Sequence, residues 1–506
     1  MKLGEVVARV HGLTWGADGD AEVTLLAYDS RRVEPGSLFF AIPGAKADGH
    51  SFVSAALERG AVAVVSQLPP PANLTARWIQ VTHIRRALAE AAGSFYRHPD
   101  SSLRLIGITG TNGKTTTAFL LERILSAAGT PAGLLGTIEY RIGKRSIKAL
   151  NTTPESLDLM QYFAELVNSG AGAAVMEISS HALAQERVWG LQFAAAVFTN
   201  LTQDHLDYHK DMENYFAAKN RLFEGLGAGA PDLAVINADD KWGQRLLALP
   251  GSRQLTYGTG AGAQVRVREA SFSLSGVKAI LETPGGRVEI ASPLVGRPNL
   301  MNILAATATA IGLGLPTDKI ASGVGSLLAV PGRFERIDVG QPFLVVVDYA
   351  HTDDALRNVL RTARDLTTGR LLVVFGCGGE RDRSKRPLMG EAAGSLADLV
   401  YLTSDNPRGE DPLVILNDAL VGLQRTATPY HVEAEREAAI RKALGEAREG
   451  DMVLIAGKGH ETYQILKDQV IPFDDREVAR KVLCELGYDS PARLNQSKEG
   501  RQNSKR

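Results

Sequence analysis

Apolar residues along this chain alternate between short continuous runs and longer stretches that repeat at helical spacing. The runs read as buried strands and the stretches as helices laid over them, which is the pattern of an α/β fold. Residues 37–42 and 62–65 are expected strands of a first unit, which ends near Tyr96-Arg97-His98-Pro99-Asp100. A second unit opens with a strand at 103–108 and a helix at 116–127, and continues with strands at 173–178 and 194–199 and a helix at 213–223. Such a succession predicts a mostly parallel sheet covered by helices. A further break falls at Pro331-Gly332-Arg333-Phe334, and strands at 343–347, 371–375, 399–402 and 452–455 then predict another Rossmann-like α/β unit. The expected division is 1–99, 100–332 and 333–490. Residues 491–506 have almost no apolar content and are expected to be a disordered tail. No internal repeat is visible.

The junction between the strand at 103–108 and the helix after it carries the strongest chemical signal, Gly107-Ile108-Thr109-Gly110-Thr111-Asn112-Gly113-Lys114-Thr115-Thr116-Thr117. A glycine-rich turn at a helix start presents backbone N–H groups and the positive end of the helix dipole to an anion. Gly110, Thr111, Asn112, Gly113, Lys114, Thr115 and Thr116 are therefore the candidate phosphate cradle. Lys114 would reach the outer phosphates, and the Thr115 hydroxyl would sit where a phosphate-bound magnesium ion takes an oxygen ligand. Ile108 stands where the general phosphate-loop pattern asks for glycine, and the segment alone is also compatible with a structural strand-to-helix turn.

Composition narrows the setting. The 506 residues are too many for one core. Lys+Arg 56 against Asp+Glu 57 leaves a formal net charge of −1, so no global field favours nucleic acid or a membrane surface. Two cysteines, Cys377 and Cys484, are too few for a disulfide framework and fit a reducing compartment, where both are expected to be packed thiols. The amino terminus lacks the apolar core of a signal peptide, and no run approaches a membrane span. A soluble, cytoplasmic, monomeric protein is expected.

Two further segments bear groups suited to a divalent metal. Glu177 ends the strand in Val175-Met176-Glu177-Ile178-Ser179-Ser180-His181, and another strand ends in Asn200-Leu201-Thr202-Gln203-Asp204-His205-Leu206-Asp207. Ligand groups in open α/β sheets collect at the carboxyl ends of strands. Either segment alone reads more often as a solvated loop.

These segments, with Asn151-Thr152-Thr153-Pro154 and Ala218-Lys219, resemble the Mur ligases in residue, order and spacing over nearly everything but the tail. Within that family the resemblance is to the branch that adds the third residue to the peptide stem of the bacterial cell-wall precursor. It implies a three-domain architecture with a central phosphate-loop ATPase-type sheet. It also implies ATP-dependent amide formation, in which the γ-phosphate passes to the D-glutamyl carboxylate of UDP-N-acetylmuramoyl-L-Ala-D-Glu and an amine displaces phosphate. Phosphate leaves readily where hydroxide does not, and metal and cationic groups stabilise both steps.

Residue by residue, the resemblance assigns Ser30, in Asp29-Ser30-Arg31-Arg32, to the uridine diphosphate end of the substrate. Asn151, Thr152, Thr153, Ser179, Gln185 and Arg187 match positions that grip the muramoyl peptide. Asn302 matches a position near the adenine, and Arg333, Asp348 and His351 match nucleotide contacts from the third domain. Lys219 lies on a predicted helix, where the pattern alone favours an exposed lysine. The resemblance makes it instead a lysine carbamylated by carbon dioxide (N6-carboxylysine), joining Glu177, His205 and Thr115 around two magnesium ions, with Lys114, Lys219, His205 and Glu177 as the catalytic set. Asp353 stands where the family usually has proline.

The amino acid to be added is read from Ser404-Asp405-Asn406-Pro407-Arg408, which resembles the signature for meso-diaminopimelate. Asp405, Asn406, Pro407 and Arg408, helped by Arg381, would pair the second carboxylate that distinguishes it from lysine. Gly457 and Glu461 match positions that receive its distal end. A bare turn is the alternative for Asp-Asn-Pro. Rival readings are a lysine-adding relative, folylpolyglutamate synthase or another Mur ligase, and a nucleotide-driven switch that hydrolyses ATP without any amino acid.

Overall fold

A computed structural model describes residues 1–13, 19–44, 48–72, 76–467 and 469–488. The tail expected at 491–506 lies outside the described residues. Three large sheets and one two-stranded hairpin, Tyr463–Leu466 with Gln469–Pro472, organise the described residues. The first is parallel throughout, in the order β1 (Leu25–Ala27), β2 (Ser37–Phe40), β3 (Ala63–Ser66), β4 (Arg77–Gln80).

The central sheet has eleven strands. Seven are mutually parallel, in the spatial order β13 (Val265–Ser273), β12 (Arg253–Gly258), β11 (Leu233–Asn237), β10 (Ala195–Phe198), β5 (Arg104–Thr109), β9 (Ala173–Glu177), β6 (Ala132–Leu135). Side chains of β11, β10, β5 and β9 alternate between two cores, as strands buried on both faces must. Ile106, Ile108, Val175 and Val197 pack with the helices Lys114–Ala127 and Arg297–Gly312, whereas Leu105, Met176, Phe198 and Ile236 pack with Ser156–Asn168 and Met212–Glu224. Antiparallel hairpins extend both edges. One joins β7 (Glu139–Ile142) to β8 (Arg145–Lys148), and the other runs β13 (Val265–Ser273), β14 (Gly276–Thr283), β15 (Gly286–Ser292).

The third sheet runs in the order β16 (Glu335–Ile337), β17 (Leu344–Asp348), β21 (Met452–Ala456), β18 (Leu371–Phe375), β19 (Leu399–Leu402), β20 (Tyr430–Val432), antiparallel only at β16. Arg436 and Asp475 clamp its covering helices through a fully buried ion pair at 2.7 Å. Cys377 is buried, and desolvation pushes its thiol up to about 12. Cys484 corrects the expectation of two packed thiols. It is exposed, because helix Asp475–Glu485 turns Val482 and Leu483 inward and leaves the next position outside.

Polar contacts join the units around the site. Arg85 and Arg86 of the first unit pair with Glu155 (2.6 Å) and Glu186 (2.8 Å) of the second, and the Tyr28 hydroxyl donates to Asp158 at 2.5 Å. On the other side Asn112 donates to Asp354 at 2.9 Å, and Gln203 to Asp382 and Ser384. Among the described residues, no helix is long and apolar enough to cross a membrane.

Candidate active site

Strand β5 continues through Thr109, so Ile108 is a fully buried core residue and the loop proper begins at Gly110. This accounts for the missing glycine at 108. Gly113 has φ +89°, and a Cβ there would collide with Asn302 Oδ1, so glycine is required by conformation and by space alike. Helix Lys114–Ala127 starts at the next residue, and its first N–H groups open into the loop. The Lys114 ammonium folds back across that loop, donating to the carbonyls of Gly110 (2.9 Å) and Thr111 (2.8 Å).

Glu177, 1 % exposed, reaches the loop from the end of β9. Its carboxylate accepts from the Thr115 hydroxyl (3.0 Å) and from the Thr137 amide (2.8 Å) and hydroxyl (3.0 Å). Arg333 donates to Thr115 Oγ1 at 3.2 Å and stacks over the Tyr349 ring at 4.4 Å, so the third unit touches the loop directly. Asp348 accepts from the Phe334 and Ala350 amides, and burial raises its carboxyl despite Arg333. His351 Nδ1 pairs with the Tyr349 carbonyl. Asn302 Nδ2 donates to Asn299 and leaves Oδ1 against Gly113.

Lys219 is 2 % exposed, against the helical pattern's expectation. Its Nζ donates to the Gly110 carbonyl at 2.9 Å and lies 4.6 Å from the Tyr215 ring centre. Burial, reinforced by the Lys114 ammonium, pushes it well below the ordinary lysine range. His205 Nε2 lies 3.3 Å from Asp204. Desolvation pushes the imidazole down despite that carboxylate, so the ring is neutral at pH 7 and keeps a lone pair. Asp204 itself meets Lys385 (3.7 Å) and His351 (3.8 Å) from the third unit.

A cleft of about 280 Å³ joins these pieces. Its walls include Thr111–Thr116, Thr152, Glu177, Ser179, His205, Asn302, Arg333, Asp348 and His351, and Lys219 sits behind the loop, off the lining. Among the described residues no group of three or more His, Cys, Asp and Glu side chains has the spacing of a metal site. The oxygen donors that do converge are the Thr115 hydroxyl and the Glu177 carboxylate. That set fits magnesium, which is commonly held by one or two protein oxygens together with substrate phosphates and water.

Asn151, Thr152, Thr153, Ser179, Gln185 and Arg187 form one continuous patch beside the cleft. Thr153 Oγ1 donates to the Glu177 carbonyl (2.9 Å) and accepts from the Ser179 amide (3.0 Å), while Arg187 donates to the Thr153 carbonyl and to Gln185 (2.8 Å each). The Asn151 carbonyl accepts from Tyr140. Ser179 is also the cap of the short helix Ser180–Ala184, so the structural reading of that residue holds beside the functional one. Ser30 stands apart in the turn Ser30–Arg32 of the first unit.

The remaining predicted residues cluster at the carboxyl ends of β18, β19 and β21. Gly457 has φ +116°, and a Cβ there would stand 2.9 Å from Asp405 Oδ2. Asn406 donates to Glu461 Oε2 at 2.8 Å. Arg408, also in the left-handed region at φ 54°, spends Nη1 on the carbonyls of Gly379 (2.7 Å) and Asn406 (3.3 Å). Arg381 and Arg408 flank Gly378. Asp353 is simply the first residue of helix Asp353–Leu366, a position that suits proline equally, so the departure leaves the turn intact. Sequence reasoning missed Thr137, Lys385 and Lys458. The first two carry no local signature, whereas Lys458 lies inside the segment that holds Gly457 and Glu461.

A phosphate loop facing a buried carboxylate, closed over by a third α/β unit, defines a nucleotide-dependent enzyme architecture, and comparison supplies the family. Residues 22–96, 108–310 and 332–459 match the Mur ligase family catalytic domain, the Mur ligase middle domain and the Mur ligase glutamate ligase domain. The chain is 58 % identical to a UDP-N-acetylmuramoyl-L-alanyl-D-glutamate–2,6-diaminopimelate ligase of Solibacter usitatus (96 % of this chain, 99 % of the relative). It is 47 % identical to the protein of that name from Geobacillus thermodenitrificans (96 % and 100 %). A solved structure of a ligase so named is 34 % identical, with a TM-score of 0.66, covering 96 % of this chain and 99 % of its own. The chain belongs to the Mur ligase family.

Proposed function

We propose that this protein joins meso-2,6-diaminopimelate to the D-glutamyl carboxylate of UDP-N-acetylmuramoyl-L-Ala-D-Glu, driven by ATP through an acyl phosphate. The observation that carries the reading is the convergence, in one cleft, of the phosphate loop, Glu177 and Arg333 from three separate stretches of chain. The loop amides and Lys114 hold the triphosphate, and Arg333 neutralises charge on the transferred group from the opposite wall. Thr115 and Glu177 would hold one magnesium ion, and His205 with a carbamylated Lys219 would hold a second. Bound magnesium supplies charge neutralisation at the phosphates and the acyl oxygen. Lys219 suits carbamylation because burial lowers its pKa and so favours the neutral amine, the form that attacks carbon dioxide.

The first unit, with Ser30, takes the uridine diphosphate end, and the patch from Asn151 to Arg187 orients the peptide. Arg408 keeps Nε and Nη2 without protein partners among the described residues, a free fork for the distal carboxylate. Lysine would leave that fork unpaired, a cost of several kcal/mol. One chain holds every part, so a monomer in the cytoplasm suffices. The names of the relatives support the same substrates.

The test is phosphate release by the purified protein with ATP, magnesium and the muramoyl dipeptide, in the presence of meso-diaminopimelate, L-lysine or neither. Release with diaminopimelate alone is expected. Preference for lysine would overturn the Arg408 assignment, and release indifferent to both substrates would favour the switch reading.

A further inference from the structure

The cluster around Asp405 and Glu461 contains a charge for which no substrate contact is needed. Lys458 has a fully buried side chain, between two carboxylates that are themselves almost buried, Asp405 and Glu461. Its ammonium has three protons and three acceptors. Nζ donates to the Tyr463 carbonyl at 2.6 Å, to Glu461 Oε2 at 3.1 Å and to Asn406 Oδ1 at 3.3 Å, with Asp405 Oδ1 at 4.0 Å. No donor remains for a ligand.

The consequences run through its partners. Asn406 Oδ1 accepts from both Lys458 and the Ile465 amide (3.0 Å), which fixes the amide orientation and leaves Nδ2 to donate to Glu461 Oε2. Glu461 Oε2 is thereby filled by two donors, while Oε1 has no protein partner among the described residues. An ionised carboxylate with one saturated oxygen and one free oxygen is a receptor for an ammonium group. Burial, followed by the nearby Asp405, raises the Glu461 carboxyl above the ordinary range, and Lys458 opposes that rise.

We propose that Lys458 is a positioning residue for the incoming amino acid: by occupying Glu461 Oε2 and fixing the Asn406 amide it aims Glu461, so that Oε1 receives the ammonium group of the substrate's distal end. The inference rests on the proposed function and assigns a role to a side chain that does not itself touch the substrate. A purely structural buried ion pair would stabilise the fold or leave it unchanged without singling out one substrate.

The experiment is a double-mutant cycle in the full-length protein, with Lys458→Met, Glu461→Gln and the pair. Lys458→Met is expected to raise KM for meso-diaminopimelate at least thirtyfold, with kcat within about threefold of native and KM for ATP and for the muramoyl dipeptide within about twofold. In the Glu461→Gln background the same change is expected to add less than threefold. If Lys458→Met does not fold, the double variant, which buries no unpaired carboxylate at 461, is compared with Glu461→Gln by the same threefold criterion. An unmoved KM for diaminopimelate, a parallel rise for all three substrates, or a tenfold further loss in the double variant would overturn the role. A native protein without diaminopimelate-dependent turnover would remove the proposed function and this inference together, whereas active native protein with an indifferent Lys458→Met removes the inference alone.

Discussion

A lysine with 2 % of its surface exposed, hydrogen-bonded to the carbonyl of a phosphate loop and facing a second ammonium, is costly to keep charged. That makes Lys219 the residue where the chemistry is most exposed to test. Lys219→Ala is predicted to lower turnover by far more than tenfold while circular dichroism and thermal unfolding remain cooperative. A variant retaining more than about a tenth of the native rate, a loss of under ~1.4 kcal/mol, would contradict the role. The helical pattern alone placed Lys219 at the surface, because a period of 3.6 does not say which side of a helix faces a neighbouring unit. Resemblance corrected what periodicity missed. Lys458 shows the converse limit, since a lysine between two glycines has no pattern of its own, and only the fold brings Asp405, Asn406 and Glu461 around it.

The phosphate loop is an element whose shape depends on one conformation. Gly113→Ala forces a side chain into the left-handed region at φ +89° and against Asn302. Strain of about 1–2 kcal/mol is the direct cost, and the displaced loop is predicted to lose at least tenfold in ATP affinity by titration calorimetry. Native-like affinity would show that the loop tolerates the collision. Elements of this kind were well marked in the sequence. The strands expected at 103–108, 173–178 and 371–375 appear as Arg104–Thr109, Ala173–Glu177 and Leu371–Phe375, because strands buried on both faces read as unbroken apolar runs. Edge hairpins were not legible. In β13 exposed positions dominate and in β15 they alternate with buried ones, while β14, paired between the two, is mostly covered, so burial here depends on pairing rather than on unbroken apolar runs. The exposed Cys484 belongs to the same class of error, one helical step from the buried Leu483.

Across the whole molecule, no single unit holds a complete site. Arg333 reaches Thr115 from the third unit, Asp354 takes a hydrogen bond from Asn112, and Arg86 anchors the first unit to Glu186 beside the peptide patch. In the proposed reaction, closure of these units around three substrates would exclude water from the acyl phosphate. The family and the mostly parallel central sheet were legible from five short segments. The placing of the third unit against the cleft was not, because it depends on docking contacts through Lys385, Asp382 and Ser384. The acyl phosphate is the point at which all three units must act together, and oxygen tracing tests it. Native protein would be given ATP, magnesium, meso-diaminopimelate and muramoyl dipeptide carrying oxygen-18 in the reacting glutamyl carboxylate. One labelled oxygen should appear in each inorganic phosphate released, since the carboxylate oxygen that attacks the γ-phosphate leaves with it. Unlabelled phosphate alongside tripeptide product would contradict activation of the carboxylate by phosphorylation.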